Sequence, residues 1–232
     1  MRLLGFFAAL GLAPLCMGFF DIAGHLSPSE WMVWVMFYAL MSILLMILVI
    51  TKDVFLSKSD MYKVLVLNIL IAASVILKSI PLPLGMSLAF IFPILTACVI
   101  GPAYGVIVGG FSIIFSALLF GGVGPWLSMQ LYLVMMMSLL LFWVPPRIRR
   151  HIYFVIGYGS LWGLLFGFLM TLYFWPMTGM IYGLEAPNQS FISFYLATSF
   201  VWDSFRALGH LIFLYLFFEP FKKMINSTGM IR

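Results

Sequence analysis

GPAYGVIVGGFSIIFSALLFGGVGPWLSMQ, from Gly101 to Gln130, is the stretch that decides the fold. One apolar run follows Gly101-Pro102, and a second follows Gly122-Val123-Gly124-Pro125-Trp126. Glycine and proline mark turns, and proline is well tolerated in the first turn of a helix. We therefore predict two membrane-spanning helices joined by a rigid turn that carries one large aromatic side chain.

The composition is that of a polytopic membrane protein. Hydrophobic residues make up 64% of the chain and charged residues only 8%, against about a quarter charged in soluble domains. The net charge of +5 does not indicate nucleic-acid binding, because nearly all basic residues lie in short gaps between apolar runs. Cys16 and Cys98 lie inside apolar runs, and we predict that both are buried small hydrophobic residues.

Apolar runs of the length needed to cross a bilayer predict eight spans. They are 3–20, 31–51, 64–80, 84–101, 103–120, 127–144, 152–175 and 194–218. With the N-terminus inside, alternating crossings put all twelve Lys and Arg except Lys78 and Arg206 on one side. The positive-inside rule then predicts a plasma-membrane protein with both termini cytoplasmic. A signal peptide is the alternative for the first run, although no A-x-A cleavage site follows it.

The polar segment 52–63 predicts the domain boundary. We expect an all-α protein in which a two-span membrane extension, 1–58, precedes a six-span helical bundle, 59–232. Small residues at helical spacing predict close packing inside that bundle. They are Gly105, Gly109, Ser112 and Ser116 in one span and Gly159, Gly163 and Gly167 in another. Pro93, inside the run 84–101, predicts a kink.

The G-P-x-x-G of Gly101 to Gly105 and the G-P-W of Gly124 to Trp126, in this order, resemble the S components of energy-coupling factor (ECF) transporters. The resemblance is to the cobalamin-type branch and covers about three quarters of the chain. It implies a substrate-binding subunit that takes up a vitamin or other micronutrient, with cobalamin, a related corrinoid or a precursor as first choice. It also implies a transmembrane coupling subunit and two cytoplasmic ATPases that use ATP. The family's A-x-x-x-A docking motif is not cleanly present, and the extension 1–58 is not part of the minimal family.

The predicted topology places Pro81 to Ser87, Gly121 to Trp126 and Trp175 to Asn188 on the outer face, where they would form the mouth of one bundle. Aromatic and amide side chains there offer stacking surfaces and hydrogen bonds to a planar ligand. Anchoring at the membrane interface is the alternative for each aromatic residue. The candidate substrate-binding residues are Lys78, Gly124, Pro125, Trp126, Gln130, Trp175, Tyr182, Asn188, Asp203 and Arg206.

Charged side chains cluster in the last run. Asp203, Arg206 and His210 have the spacing i, i+3, i+7, which puts them on one helix face. An unpaired charge in hydrocarbon costs about 2.5–3.5 kcal/mol even on insertion scales, so these residues must face the bundle interior. Two interpretations of Asp203 and Arg206 are open. They form a structural pair that locks helices together, or they also line a ligand pocket. Lys78 either extends to the headgroups or meets an anionic ligand group.

Motifs of catalysis are missing from the sequence. It has no G-x-x-x-x-G-K-[ST] for ATP hydrolysis, no C-x-x-C or H-x-x-x-H spacing for a metal, and a single aspartate within a span. We therefore predict a protein that is not an enzyme, holds no cofactor and borrows energy from a partner. The alternative is a membrane scaffold or assembly protein with a similar bundle, and a membrane-embedded enzyme comes third.

Overall fold

The computed structural model of the protein describes residues 28–49, 61–83, 86–175 and 191–229. Regular structure in these ranges is helical throughout. The helices are α1 (Pro28–Val49), α2 (Met61–Ser79), α3 (Ile91–Val99), α4 (Pro102–Ser116), α5 (Pro125–Leu139), α6 (Pro146–Arg149), α7 (Ile152–Phe174), α8 (Phe191–Thr198) and α9 (Phe200–Ser227). A π-helical turn extends α4, and a 3-10 turn extends α5.

Five of the described helices are long and apolar enough to cross a membrane. They are Met61–Ser79, Pro102–Phe120, Pro125–Trp143, Ile152–Phe174 and Phe200–Ser227. Helix α1 has 22 residues, a length of about 33 Å at 1.5 Å per residue, and it corresponds to predicted span 31–51. The prediction of an all-α polytopic membrane protein is confirmed. Predicted span 3–20 lies outside the described residues.

The prediction of a full helical span over 84–101 is wrong. Helix α3 covers only Ile91–Val99, about 14 Å, which is too short to cross the hydrocarbon core alone. Pro93 lies in its first turn, where a helix does not need the missing N–H, and so does not kink a longer helix. Eight of the nine α3 residues are buried. Irregular backbone at membrane depth is tolerated where protein surrounds it, and α3 is the centre of the bundle.

Side-chain contacts fix which helix ends lie together. The Lys78 Nζ donates to Ser116 Oγ at 2.7 Å, so α2 and α4 finish at the same end of the bundle. At the opposite end, the Arg150 Nε donates to the carbonyl of Val99 at 3.0 Å. The segment between Lys78 and Val99, which contains α3, therefore runs from one end of the bundle to the other. Successive segments still cross the bundle in alternate directions, although this crossing is only partly helical.

The small-residue stripe of α4 packs as predicted. A side chain at Gly105 would collide with Ala97 of α3, and one at Gly109 would collide with Val134 of α5. Cys98 is buried, as predicted, and is a free thiol. Cys16 lies outside the described residues.

Helix α1, from the predicted N-terminal extension, packs directly on the core. Tyr38 is completely buried, and its ring centroid lies 5.0 Å from that of Tyr132 in α5 and 5.9 Å from that of Tyr173 in α7. The described part of the extension therefore shares the core of the bundle.

The longest helix pair, α7 and α9, runs antiparallel with glycines at the contacts. Gly159 faces Leu214, Gly163 faces Ala207 and Gly167 faces Asp203. These pairs confirm the predicted packing role of the glycine stripe. They also set the register that brings an acidic side chain against the backbone of α7.

Candidate functional site

A cavity of about 260 Å³ opens between α7, α9 and the start of α5. It lies beside the junction of α8 and α9, where Ser199 departs from helical dihedrals at φ −121° and ψ −33°. The helical hydrogen bonding continues through the junction, because the Ser199 N–H bonds the Tyr195 carbonyl and the Asp203 N–H bonds the Ser199 carbonyl. The cavity is lined by Gln130, Phe166, Gly167, Met170, Thr171, Thr198, Ser199, Trp202, Asp203 and Arg206.

An ion pair forms the charged wall of this cavity. The Arg206 Nη1 lies 2.5 Å from Asp203 Oδ1, and the Tyr195 hydroxyl donates to Asp203 Oδ2 at 3.1 Å. The Asp203 side chain is 3% exposed and that of Arg206 is 19% exposed. Both carboxylate oxygens thus have a donor, which is what a buried carboxylate requires.

Gly167 makes room for this carboxylate. A side-chain carbon at Gly167 would overlap Oδ1, Oδ2 and Cγ of Asp203. The carboxylate therefore lies directly against the backbone of α7. The ion pair itself joins two residues of α9, so it does not link helices; the Tyr195 bond links α9 to α8, and the contact at Gly167 links α9 to α7.

Arg206 keeps hydrogen-bonding capacity toward the cavity. Its guanidinium has five N–H donors, and Asp203 is its hydrogen-bond partner within the described residues. The guanidinium carbon also lies 5.7 Å from the ring centroid of Phe166, within the range of a cation–π contact. The remaining N–H groups of Arg206 have no acceptor among the residues that the structure describes.

Some neutral polar groups of the cavity are hydrogen-bonded within the protein, and others are not. The Thr171 hydroxyl donates to Ser199 Oγ at 2.9 Å, and the Thr198 hydroxyl donates to the Phe194 carbonyl at 2.8 Å. In contrast, the amide of Gln130 has no partner in the described ranges. Gln130 and Arg206 thus keep donors for a molecule in the cavity, as does the indole N–H of Trp202.

Three of the ten predicted site residues line the cavity: Gln130, Asp203 and Arg206. Trp175 does not line it, and its ring centroid lies 5.8 Å from that of Phe191 at the start of α8. Tyr182 and Asn188 lie outside the described residues.

The other predicted site residues lie away from the cavity lining. Lys78 bonds Ser116 rather than a group of the cavity. Gly124, Pro125 and Trp126 form the entry to α5, and the Trp126 ring lies against the backbone of Gly124. The Trp126 side chain is 40% exposed, so the structure does not bring it to the cavity.

The turn before Trp126 has the backbone that its glycines predict. Gly122 has φ 67°, in the left-handed region that disfavours other residues. Gly124 is the N-cap of α5 and Pro125 occupies its first turn. The turn therefore lies where the sequence predicts it, and it positions the cavity indirectly, because α5 carries Gln130 five residues after Pro125.

His210 lies deeper in the bundle than the ion pair. It is completely buried, its Nδ1 lies 2.8 Å from the Gly159 carbonyl, and its ring packs edge-on against Phe90 at 5.7 Å. Its Nε2 has no hydrogen-bond partner within the described part of the chain. His210 is therefore a residue of the α7–α9 contact and does not line the cavity.

Sequence reasoning did not find Tyr195, Phe166, Thr171 or Ser199. Tyr195 is eight residues before Asp203 along the chain, and the α8–α9 junction lies between them. Phe166 and Thr171 flank Gly167 on α7, so the pattern that could have pointed to them is the glycine stripe itself.

In the described ranges, His, Cys, Asp and Glu side chains do not come together in a group of three that could hold a metal ion. Comparison with protein-family models, curated proteins and solved structures gave no match to this chain.

Proposed function

We propose that this protein is a membrane-embedded binding component that takes a small molecule into the cavity between α7 and α9. The observation that carries the proposal is the Asp203–Arg206 pair. Both residues lie on a helix long enough to span the membrane, and both line the cavity. Ionisable residues within spans are expensive, and they commonly mark substrate or ion pathways.

The depth of the cavity supports binding from one face. The Tyr173 hydroxyl donates to the Pro125 carbonyl at 3.3 Å, so these residues mark one end of the bundle. Gly167 lies six residues before Tyr173 on α7, about 9 Å along the helix axis. The charge distribution predicts that this end faces outward, so a ligand would enter from outside the cell.

The size of the cavity bears on the ligand. Sites for drug-sized molecules have volumes of about 300–1,000 Å³, and this cavity of about 260 Å³ lies just below that range. A corrinoid, with its large macrocycle and side chains, exceeds this space. The cavity therefore favours a smaller vitamin or comparable metabolite over cobalamin.

Uptake would require partners. A binding component without its own nucleotide site needs an external source of energy, which an ECF-type transmembrane coupling subunit and two cytoplasmic ATPases would supply from ATP. The resemblance of the G-P-x-x-G and G-P-W stretches to S components supports this arrangement. We propose it as the mode of action of the chain.

The decisive experiment is recovery of the ligand with the protein. Wild-type protein purified from its native host is extracted, and the released small molecules are identified by mass spectrometry. The double variant Asp203→Asn with Arg206→Gln removes both charges and keeps a polar side chain at each position. Lys222→Gln is the matched control, because the Lys222 Nζ lies 5.5 Å from the Phe218 ring centroid on the same helix, away from the cavity lining.

We expect one compound to accompany the wild type and Lys222→Gln but not the double variant. Gel filtration and thermal unfolding verify that all three proteins are folded. A wild type that releases no compound contradicts the proposal and favours a scaffold. Equal recovery from the folded double variant would place any binding site elsewhere.

A further inference from the structure

We propose that the ligand carries a single carboxylate, which binds the guanidinium N–H groups that Asp203 leaves free. This inference rests on the proposed function and adds the chemical class of the ligand. It follows from the hydrogen-bonding capacity that each side chain has left after its contacts within the protein are counted.

Asp203 is not available to a cationic ligand. Its Oδ1 accepts from Arg206 and its Oδ2 accepts from Tyr195, and the side chain is 3% exposed. Gly167 blocks a further face, because the carboxylate rests against the backbone of α7. Reaching Asp203 would require an amine to displace one of these partners.

Arg206 is available to an anionic ligand. Its side chain is 19% exposed, about six times the fraction of Asp203, and the pair thus presents the cavity with its positive member. A guanidinium binds carboxylates in a forked geometry with two parallel hydrogen bonds. Asp203 accepts a hydrogen bond from one nitrogen of the guanidinium and so orients it before the ligand arrives.

The other groups of the cavity fit the remainder of such a molecule. The Gln130 amide can donate to the same carboxylate or to a second polar group. Phe166, Met170 and Trp202 supply apolar surface for the ligand's body. Arg206 is the single cationic side chain in the described lining, and it already neutralises Asp203, which disfavours a second carboxylate on the ligand.

The test compares acids with neutral and cationic molecules of the same shape. The probes are benzoate, benzamide and benzylamine, then nicotinate, nicotinamide and 3-(aminomethyl)pyridine, and then the straight-chain acids, amides and amines of four to eight carbons. The readout is the shift in melting temperature of the purified protein in detergent, titrated to give an apparent Kd. The variants are Arg206→Lys, which keeps a positive charge beside Asp203 but loses the fork, and Lys222→Arg as control.

We expect acids to stabilise the wild type and Lys222→Arg, and amides and amines to do so more weakly or not at all. Arg206→Lys should weaken acid binding about tenfold or more, since a hydrogen bond to a charged group is lost. Stronger stabilisation by amines, or equal effects of acids and amides, would overturn the carboxylate assignment and leave the cavity as a small-molecule site.

If no probe binds, the compound recovered from the native host decides: one with a single carboxylate supports the inference, and one without a carboxylate overturns it. The absence of both probe binding and a recovered compound refutes the proposed function itself.

Discussion

Gly167→Ala is expected to destabilise the protein, although alanine is the better helix former. The added methyl group would occupy the space of the Asp203 carboxylate. Either α7 and α9 separate, or the carboxylate rotates away from Arg206 and Tyr195. Overpacking costs about 1–3 kcal/mol, and a lost hydrogen bond to a charged group costs about 1.5–3 kcal/mol. Because the protein takes the less costly route, we expect the free energy of unfolding to fall by about 1–3 kcal/mol.

Gly157→Ala is the matched control on the same helix. A side-chain carbon at Gly157 meets nothing within 4 Å, so the substitution has only its effect on helix propensity, a gain of up to about 1 kcal/mol. A double-mutant cycle with Asp203→Ala isolates the contact. Without the carboxylate, Gly167→Ala should cost little, so the cycle should give a coupling of about 1–3 kcal/mol between the two positions.

Unfolding by titration with sodium dodecyl sulfate, followed by tryptophan fluorescence, measures these free energies in detergent. If Gly167→Ala is as stable as Gly157→Ala, the carboxylate does not rest against α7. If Gly167→Ala costs as much in the Asp203→Ala background as in the wild type, the methyl group collides with something other than Asp203. Either result would remove the basis for treating Gly167, Asp203 and Arg206 as one unit.

Three further predictions test other parts of the molecule. Lys78→Met removes the bond to Ser116 and should lower the free energy of unfolding by about 1 kcal/mol; an unchanged titration would show that the bond is not formed in solution. Trp126→Ala should leave the affinity for the co-purified compound unchanged, because Trp126 lies outside the cavity lining, and a large loss of affinity would return it to the binding site. Cysteines at Ser79 and Ser227 should react with an impermeant maleimide from outside and from the cytoplasm, respectively; labelling of both from one face contradicts the predicted topology.

The fold class could be predicted from the sequence because hydropathy and charge report directly on transfer from water to lipid. The use of hydropathy also explains why the prediction of a full helical span over 84–101 is wrong. Hydropathy does not distinguish a helix surrounded by lipid from one surrounded by protein, and α3 is buried on nearly every face. A short central helix and a full span therefore look alike in the sequence.

The candidate site could be predicted only along a single helix. The 3.6-residue period places Asp203 and Arg206 on one face, as the structure confirms with their ion pair. Contacts between helices depend on register, which neither helix encodes by itself. For that reason Gly167 was predicted as a packing residue without its partner Asp203, and Tyr195 was not predicted at all. For the outer loops, by contrast, the signal in the sequence is aromatic content, which interfacial anchoring also explains.

The glycine stripe of α7 connects stability to the site. At Gly159 and Gly163 the absent side chain lets α9 approach with Leu214 and Ala207, which is ordinary close packing. At Gly167, the third position of the same stripe, the space is filled by a carboxylate instead. That carboxylate is tolerable because its cation is three residues away on its own helix and Tyr195 donates to its second oxygen. The charged wall of the cavity thus lies at one position of a helix contact whose other positions are apolar. A substitution at Gly167 should therefore change ligand binding and folding together, whereas one at Gly159, which faces Leu214 away from the cavity lining, should change folding alone.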